Sequence, residues 1–169
     1  GALDRVEVLR DGASAQYGSD AIAGVINMRL REAASGGGLS VTYGSYLTSF
    51  DGYYGRNDDI SDGATTTVSG WQGLSFLGDG FLTLSAEYRS RENTNRSDID
   101  KRVTPNRITS RFGDADVDDI SFYANAGKSL NDTWDLYGWY GYQHRDASSA
   151  ATYRLPTDTL QNIPSVYPN

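Results

Sequence analysis

The sequence has no cysteine, one histidine and one methionine in 169 residues. Without a thiol there is no disulfide framework, no thiolate metal site and no catalytic cysteine. With His144 as the only histidine, neither a zinc site nor a Ser-His-Asp triad can be assembled from this chain. Basic residues are also few: 15 Lys and Arg stand against 22 Asp and Glu, and the net charge of −7 argues against nucleic acid as a partner. No apolar run approaches the ~18 residues that a membrane helix needs. The opening Gly1-Ala2-Leu3-Asp4 carries no signal peptide and reads as the middle of a domain. The chain is therefore expected to be a piece of a longer precursor. Apolar residues make up 38%, low for a large soluble core but ordinary for strands that are apolar on one face only.

What is abundant is glycine (19), tyrosine (12) and alternation. Residues 6–28 read as strand, turn, helical turn and strand. Val6, Val8 and the aliphatic part of Arg10 alternate with Glu7 and Leu9. Asp11-Gly12 is a turn dipeptide, because glycine tolerates positive φ and aspartate bonds its own backbone. Ser14 is placed to cap a helical turn over residues 15–17, Gly18 stops it, and residues 22–28 are apolar enough for a buried strand. Ala-Ala-Ser-Gly-Gly-Gly at 33–38 has no side chain large enough to anchor it and predicts a flexible connector.

Alternation over 39–50, 64–77, 81–91, 120–127 and 134–145 then predicts five strands. Short turns are expected at 78–80 and 131–133, and long polar loops at 51–63, 92–119 and 146–169. All four prolines fall in those loops, where no ladder donor is lost. Long and short connections alternate, as in outer-membrane barrels. Phe76, Phe81 and Trp134 flank the short turns, where an aromatic belt forms at one interface. Leu82, Leu84 and Ala86 should face one way, and Thr83, Ser85 and Glu87 the other. Glu87 and Arg89 share a face, and an ion pair is expected there rather than catalysis. A soluble β-sandwich gives the same alternation but not the asymmetry of the connections.

The run Asp114-Ala115-Asp116-Val117-Asp118-Asp119 opens like a calcium loop, but Asp119 and Asn125 occupy the positions where an EF-hand needs Gly and Glu. A solvated acidic loop is the simpler reading. No metal site, no cofactor and no catalytic residue is expected, because no nucleophile–base or paired-acid arrangement stands out. Arg107 and Arg111, in the long loop, are the candidates for meeting an anionic ligand.

Residues 7–27, from Glu7-Val8-Leu9-Arg10-Asp11-Gly12 through Tyr17-Gly18-Ser19-Asp20 to Gly24-Val25-Ile26-Asn27, closely resemble the C-terminal end of the plug domain of TonB-dependent outer-membrane receptors. Many members have Gly-Pro after the arginine, where Asp11-Gly12 stands here. The motif residues are Asp11, Gly12, Tyr17, Gly18, Asp20 and Asn27. The resemblance implies a mainly all-β fold: the end of a plug domain at 1–32, a Gly-rich linker at 33–38, and the first strands and loops of a transmembrane β-barrel at 39–169. It implies active uptake of a scarce, bulky nutrient (iron–siderophore, cobalamin, haem or glycan) across the Gram-negative outer membrane. The partners implied are that ligand, outer-membrane lipid and the TonB–ExbB–ExbD complex, engaged through a TonB box expected before residue 1. Arg10 is implied as a plug–barrel contact, pairing with glutamates on later strands. The alternative is a soluble or surface-exposed β-rich carbohydrate-binding module that uses its many tyrosines.

Overall fold

The structure, a computed structural model, describes residues 1–9, 24–151 and 153–155. The fold is all-β, with no helix among the described residues and seven strands in two antiparallel sheets. Strands β1 (Leu3–Leu9) and β2 (Val25–Leu30) form a two-stranded sheet. Strands β3 (Gly37–Asp51), β4 (Asn57–Phe76), β5 (Gly80–Arg91), β6 (Asp116–Ser129) and β7 (Asp135–Ser148) form a second sheet in sequence order. Such an up-and-down meander needs only hairpin connections. By packing, the described residues fall into two compact units. One combines residues 1–42, 66–89 and 119–145; the other combines 43–65, 90–118 and those from 146 onward.

The β1–β2 ladder places Val6 opposite Met28, Val8 opposite Ile26 and Glu7 opposite Asn27. One face of the ribbon is therefore an apolar stripe and the other is polar. The stripe is open: Val6, Val8, Ile26 and Met28 are all more than half exposed. On the polar side Asn27 Nδ2 donates to Glu7 Oε2 at 2.9 Å, and Arg5 Nε donates to Glu7 Oε1 at 2.7 Å. The Arg5 guanidinium and then the Asn27 amide hold the Glu7 carboxyl below its ordinary range.

The expected loop at 51–63 is mostly strand. Only residues 52–56 turn, and β4 begins at Asn57. Asp58, Asp59, Ser61 and Asp62 are polar on both faces, so no alternation marks this stretch. It is held from the side: Ser49 Oγ donates to Asp59 Oδ1 at 2.8 Å, and Arg56 Nε to Asp58 Oδ2 at 2.7 Å. Gly63, inside β4, has φ +65°, and a Cβ there would lie 2.6 Å from Thr94 and 2.7 Å from the Tyr46 ring. The short turns are near where the dipeptides put them, at 77–79 and 130–134. In the first, Lys128 Nζ bonds Asp79 Oδ1 at 2.5 Å and also the Leu77 carbonyl. In the second, Asn131 Oδ1 accepts from the backbone N–H of Thr133 and Trp134.

The connector at 31–36 is stitched to the sheet rather than loose. Thr83 Oγ1 accepts from the Ala33 N–H at 2.9 Å and donates to the Ala33 carbonyl at 3.2 Å. Asn125 Nδ2 donates to the Arg31 carbonyl at 3.1 Å, and Gln72 Nε2 to the Gly36 carbonyl at 2.7 Å. The Arg31 guanidinium lies 4.4 Å over the Trp71 ring, a cation–π contact. A Cβ on Gly73 would be 2.6 Å from the Ser35 carbonyl, so the connector can come this close only against glycine. The anchors are backbone groups of the connector and side chains of strands distant in sequence.

Candidate functional site

In the first unit the two faces of β5 and β6 are chemically opposite. Thr83 and Ser85 are 3% and 6% exposed, and Asn125 and Asp119 are buried on the same face. The neighbouring residues on the other face include Leu84, Ala86, Ile120 and Phe122, which line one apolar groove with Leu39 and Val68. Leu39 is 77% exposed and Ile120 50%. Leu136, Gly138 and Tyr140 of β7, with Ala124 and Ala126 of β6, continue that side. A water-soluble domain packs the opposite way, with its apolar face inward. The expected division of β5 between Leu82, Leu84 and Ala86 on one side and Thr83, Ser85 and Glu87 on the other therefore holds as geometry. Phe81 does not join Phe76: a Cβ on Gly127 would touch the Phe81 ring at 2.6 Å, on the face of Thr83.

The polar face lies beneath the β1–β2 ribbon, and between them is a cavity of about 820 Å³. Its walls include Glu87, Ser121, Tyr123, Tyr137, Trp139 and Gln143 from the sheet, with Asn27 and Arg29 from β2. Of the sheet residues that line it all but Ala86 are odd-numbered, because side chains two apart share a face of a strand. Trp139 is 65% exposed and Tyr137 53%. Tyr123 crosses to β7 over Gly141, where a Cβ would come within 2.8 Å of its ring.

One step along the same face, three charges meet. Arg89 Nε donates to Asp119 Oδ2 at 3.0 Å, and Arg145 Nε donates to Asp119 Oδ1 at 2.5 Å. This corrects the expected Glu87–Arg89 pair. Arg89 reaches across to β6, where Asp119 takes guanidiniums from both neighbouring strands, and Glu87 faces the cavity instead. Asp119 had been assigned to the acidic loop, whose last four residues, 116–119, belong to β6.

The second unit holds the loop 92–115 with a denser polar network. Arg96 grips Asp62 with both terminal nitrogens, at 2.6 and 2.9 Å. Asp98 accepts the backbone N–H of Tyr54, Arg56 and Ile99, which ties the 52–56 turn to the loop. Burial works against the Asp98 charge, but those three N–H bonds outweigh it and hold its pKa below the ordinary value. Asp100 is bonded first by Arg102, then by Thr109 Oγ1 and the Arg102 N–H, and its pKa is strongly depressed.

Of the residues singled out from sequence, Asn27 lies on β2, bonded to Glu7 and bordering the cavity. Arg111 donates to the Ser148 carbonyl at 2.9 Å, and Arg107 is exposed, its carbonyl accepting from the Asp100 N–H. They are not brought together with the cavity. Arg10, Asp11, Gly12, Tyr17, Gly18 and Asp20 lie outside the described residues, as does the helical turn at 15–17. Among the described residues no three His, Asp or Glu side chains gather as metal ligands. Sequence reasoning missed Tyr137, Trp139, Gln143 and Tyr123. The available signal was their odd numbering, in step with the polar positions of β5 and β6.

No protein-family model, curated protein or solved structure matches this chain.

Proposed function

We propose that the chain is the end of a plug domain followed by the first barrel strands of a TonB-dependent outer-membrane receptor. On this reading the full protein takes up a scarce, bulky nutrient across the Gram-negative outer membrane, driven by the TonB–ExbB–ExbD complex. The ribbon β1–β2 is the plug end, 33–36 the linker, since residues 37 and 38, expected there, open β3, and β3–β7 the start of the wall. The observation that carries the reading is the reversed sheet. Its polar face is covered by the chain's own ribbon and connector, and its apolar face has no protein cover among the described residues. Lipid supplies such a cover, and barrel strands alternate apolar-out and polar-in. A soluble carbohydrate-binding module would leave that apolar groove in water, which monomeric proteins avoid for large patches. Supporting it too is the plug-end motif over 7–27; the expected alternation of long and short connections does not hold, because the connection at 52–56 is short and only 92–115 is long among the described strand connections.

The test is where the full-length protein goes. Expressed with its native leader, it should sediment with the outer membrane and migrate faster on gels before heating than after, as closed barrels do. Recovery in the soluble or periplasmic fraction overturns the reading.

A further inference from the structure

We propose that Arg31 is the latch that holds the β1–β2 ribbon on the sheet, and that the connector behind it is a fixed pivot rather than a hinge. The proposal takes only the name of the ribbon from the reading above, and its contacts stand without that reading. A run of small residues such as 33–36 is where movement is expected. Here it is pinned. Ala33 is bonded through both backbone groups to Thr83, and the Gly36 carbonyl accepts from the Gly73 N–H at 2.8 Å and from Gln72. Any displacement of the ribbon that leaves those bonds intact has to start ahead of residue 33, and Arg31 touches both parts.

The backbone of Arg31 is divided between the two. Its N–H donates to the Ala2 carbonyl at 2.9 Å, next to the Leu3–Leu30 pair of the ribbon, and its carbonyl accepts from Asn125 Nδ2 of β6 at 3.1 Å. The side chain is divided in the same way. The guanidinium lies 4.4 Å over the Trp71 ring of β4. A guanidinium over a ring uses its face and keeps N–H groups free at its edge. Nη2 donates to the Leu3 carbonyl at 3.2 Å, and Nη1 lies 3.7 Å from Asp4 Oδ1. A lysine carries a point charge without that plane and cannot serve sheet and ribbon at once. The ring is placed for this role: Trp71 lies along Gly36 and Gly38, and a Cβ on Gly38 would stand 2.7 Å from its Nε1. The sheet partners of Arg31 and the connector are on β4, β5 and β6, inside the sheet rather than on its edge strands. Each contact of the side chain is individually weak, so the latch can open while the connector holds.

The experiment uses the purified full-length protein with nitroxide labels at Ile26→Cys in the ribbon and Leu39→Cys on β3; residues 1–169 hold no cysteine to compete for label. Pulsed dipolar spectroscopy should give one narrow distance distribution in the parent. Arg31→Gln and Arg31→Lys should both broaden it toward longer distances. The Arg31 amide should then exchange about tenfold faster, while Ala33 exchange changes by less than about threefold. Gly38→Val, which displaces the Trp71 ring and leaves Arg31 in place, should act like Arg31→Gln. Arg29→Gln, two residues earlier, should change neither readout. Amide protection within β5 checks that each variant is folded, and Trp71→Phe replaces Arg31→Gln, with a smaller broadening, if the latter is not. A distribution that stays narrow, or full rescue by lysine, overturns the latch. Loss of Ala33 protection together with the ribbon overturns the fixed pivot. Broadening in a protein recovered from the soluble fraction keeps the latch and rejects the transport reading. An unchanged distribution in an outer-membrane protein does the reverse.

Discussion

The two faces of strands β5 and β6 are built from the same backbone and differ in what satisfies them. On one face Thr83, the Asn125 amide N–H and Asp119 have partners supplied by this chain, the connector at 31–33 and the arginines of neighbouring strands, while the buried Asn125 Oδ1 has none. On the other, Leu84, Ile120 and Phe122 have an apolar groove and no cover among the described residues. The difference is that in β5 and β6 the most buried side chains of the first unit are polar, Thr83, Ser85, Asp119 and Asn125, whereas β7 is exposed on both faces. Polar side chains go inward because the covering connector presents bare backbone groups, and each must find a partner. Apolar side chains go outward because nothing polar is needed there.

The comparison breaks most visibly if charge is moved to the apolar side. If the full-length protein inserts in a membrane as proposed, Leu84→Arg should cost about 2–4 kcal/mol near the bilayer midplane, read from an unfolding titration in lipid. A cost close to zero would mean that this face meets water. Ser85, the adjacent position, is a poor control. It is only 6% exposed, so a long side chain there has little room whatever lies outside the sheet.

On the polar side, Thr83→Val keeps shape and removes the hydroxyl that serves both Ala33 groups. Stability should fall by about 1–3 kcal/mol, and amide exchange at Ala33 should accelerate. Slow exchange at Ala33 in the variant would show that the connector is held otherwise.

The seam at Thr83 and Asn125 is neutral, whereas the 92–115 loop leans on carboxylates, so acid should separate the two regions. Asp100 and Asp98 have folded pKa values below their unfolded ones. Their stabilisation is fully present above the unfolded value of ~3.9 and is lost as pH falls below it. Exchange at Arg102 and Tyr54 should rise as pH drops below ~4, while protection at Ala33 persists. Loss of both together would mean that the loop network and the seam yield as one.

The smallest effect belongs to Glu87→Gln. Its carboxylate faces the cavity and is exposed, so thermal stability should stay within about 0.5 kcal/mol of the parent. A larger loss would assign Glu87 to the scaffold.

The strand regions were legible where one face is apolar and the other polar. Residues 81–91 and 120–127 alternate cleanly, and β5 and β6 follow them. The start of β4 was not legible, because Asp58, Asp59 and Asp62 answer to Ser49, Arg56 and Arg96 rather than to an apolar layer. The connector was misread for a related reason. Small side chains give no local sign that Thr83, Gln72 and Asn125, 36 to 94 residues further on, will bond its backbone. The Arg89–Asp119–Arg145 cluster needs a register across three strands, which pairing within one strand cannot supply. Of the cavity, Asn27 had been singled out as a motif residue, whereas the aromatic wall on β7 read only as tyrosine-rich strand.

Asp98 carries a consequence for anyone exchanging parts of this molecule. Its two oxygens accept from Tyr54 and Arg56 in one loop and from Ile99 in its own, and a Cβ on Gly52 would lie 2.5 Å from its carboxyl carbon. Arg56 in turn bonds the Asn95 and Ser97 carbonyls. The 52–56 turn and the 95–99 stretch are thus one replaceable module in two pieces of chain. A graft of either alone brings a backbone shaped for a counterpart left behind, so a transplant that keeps its conformation must carry both.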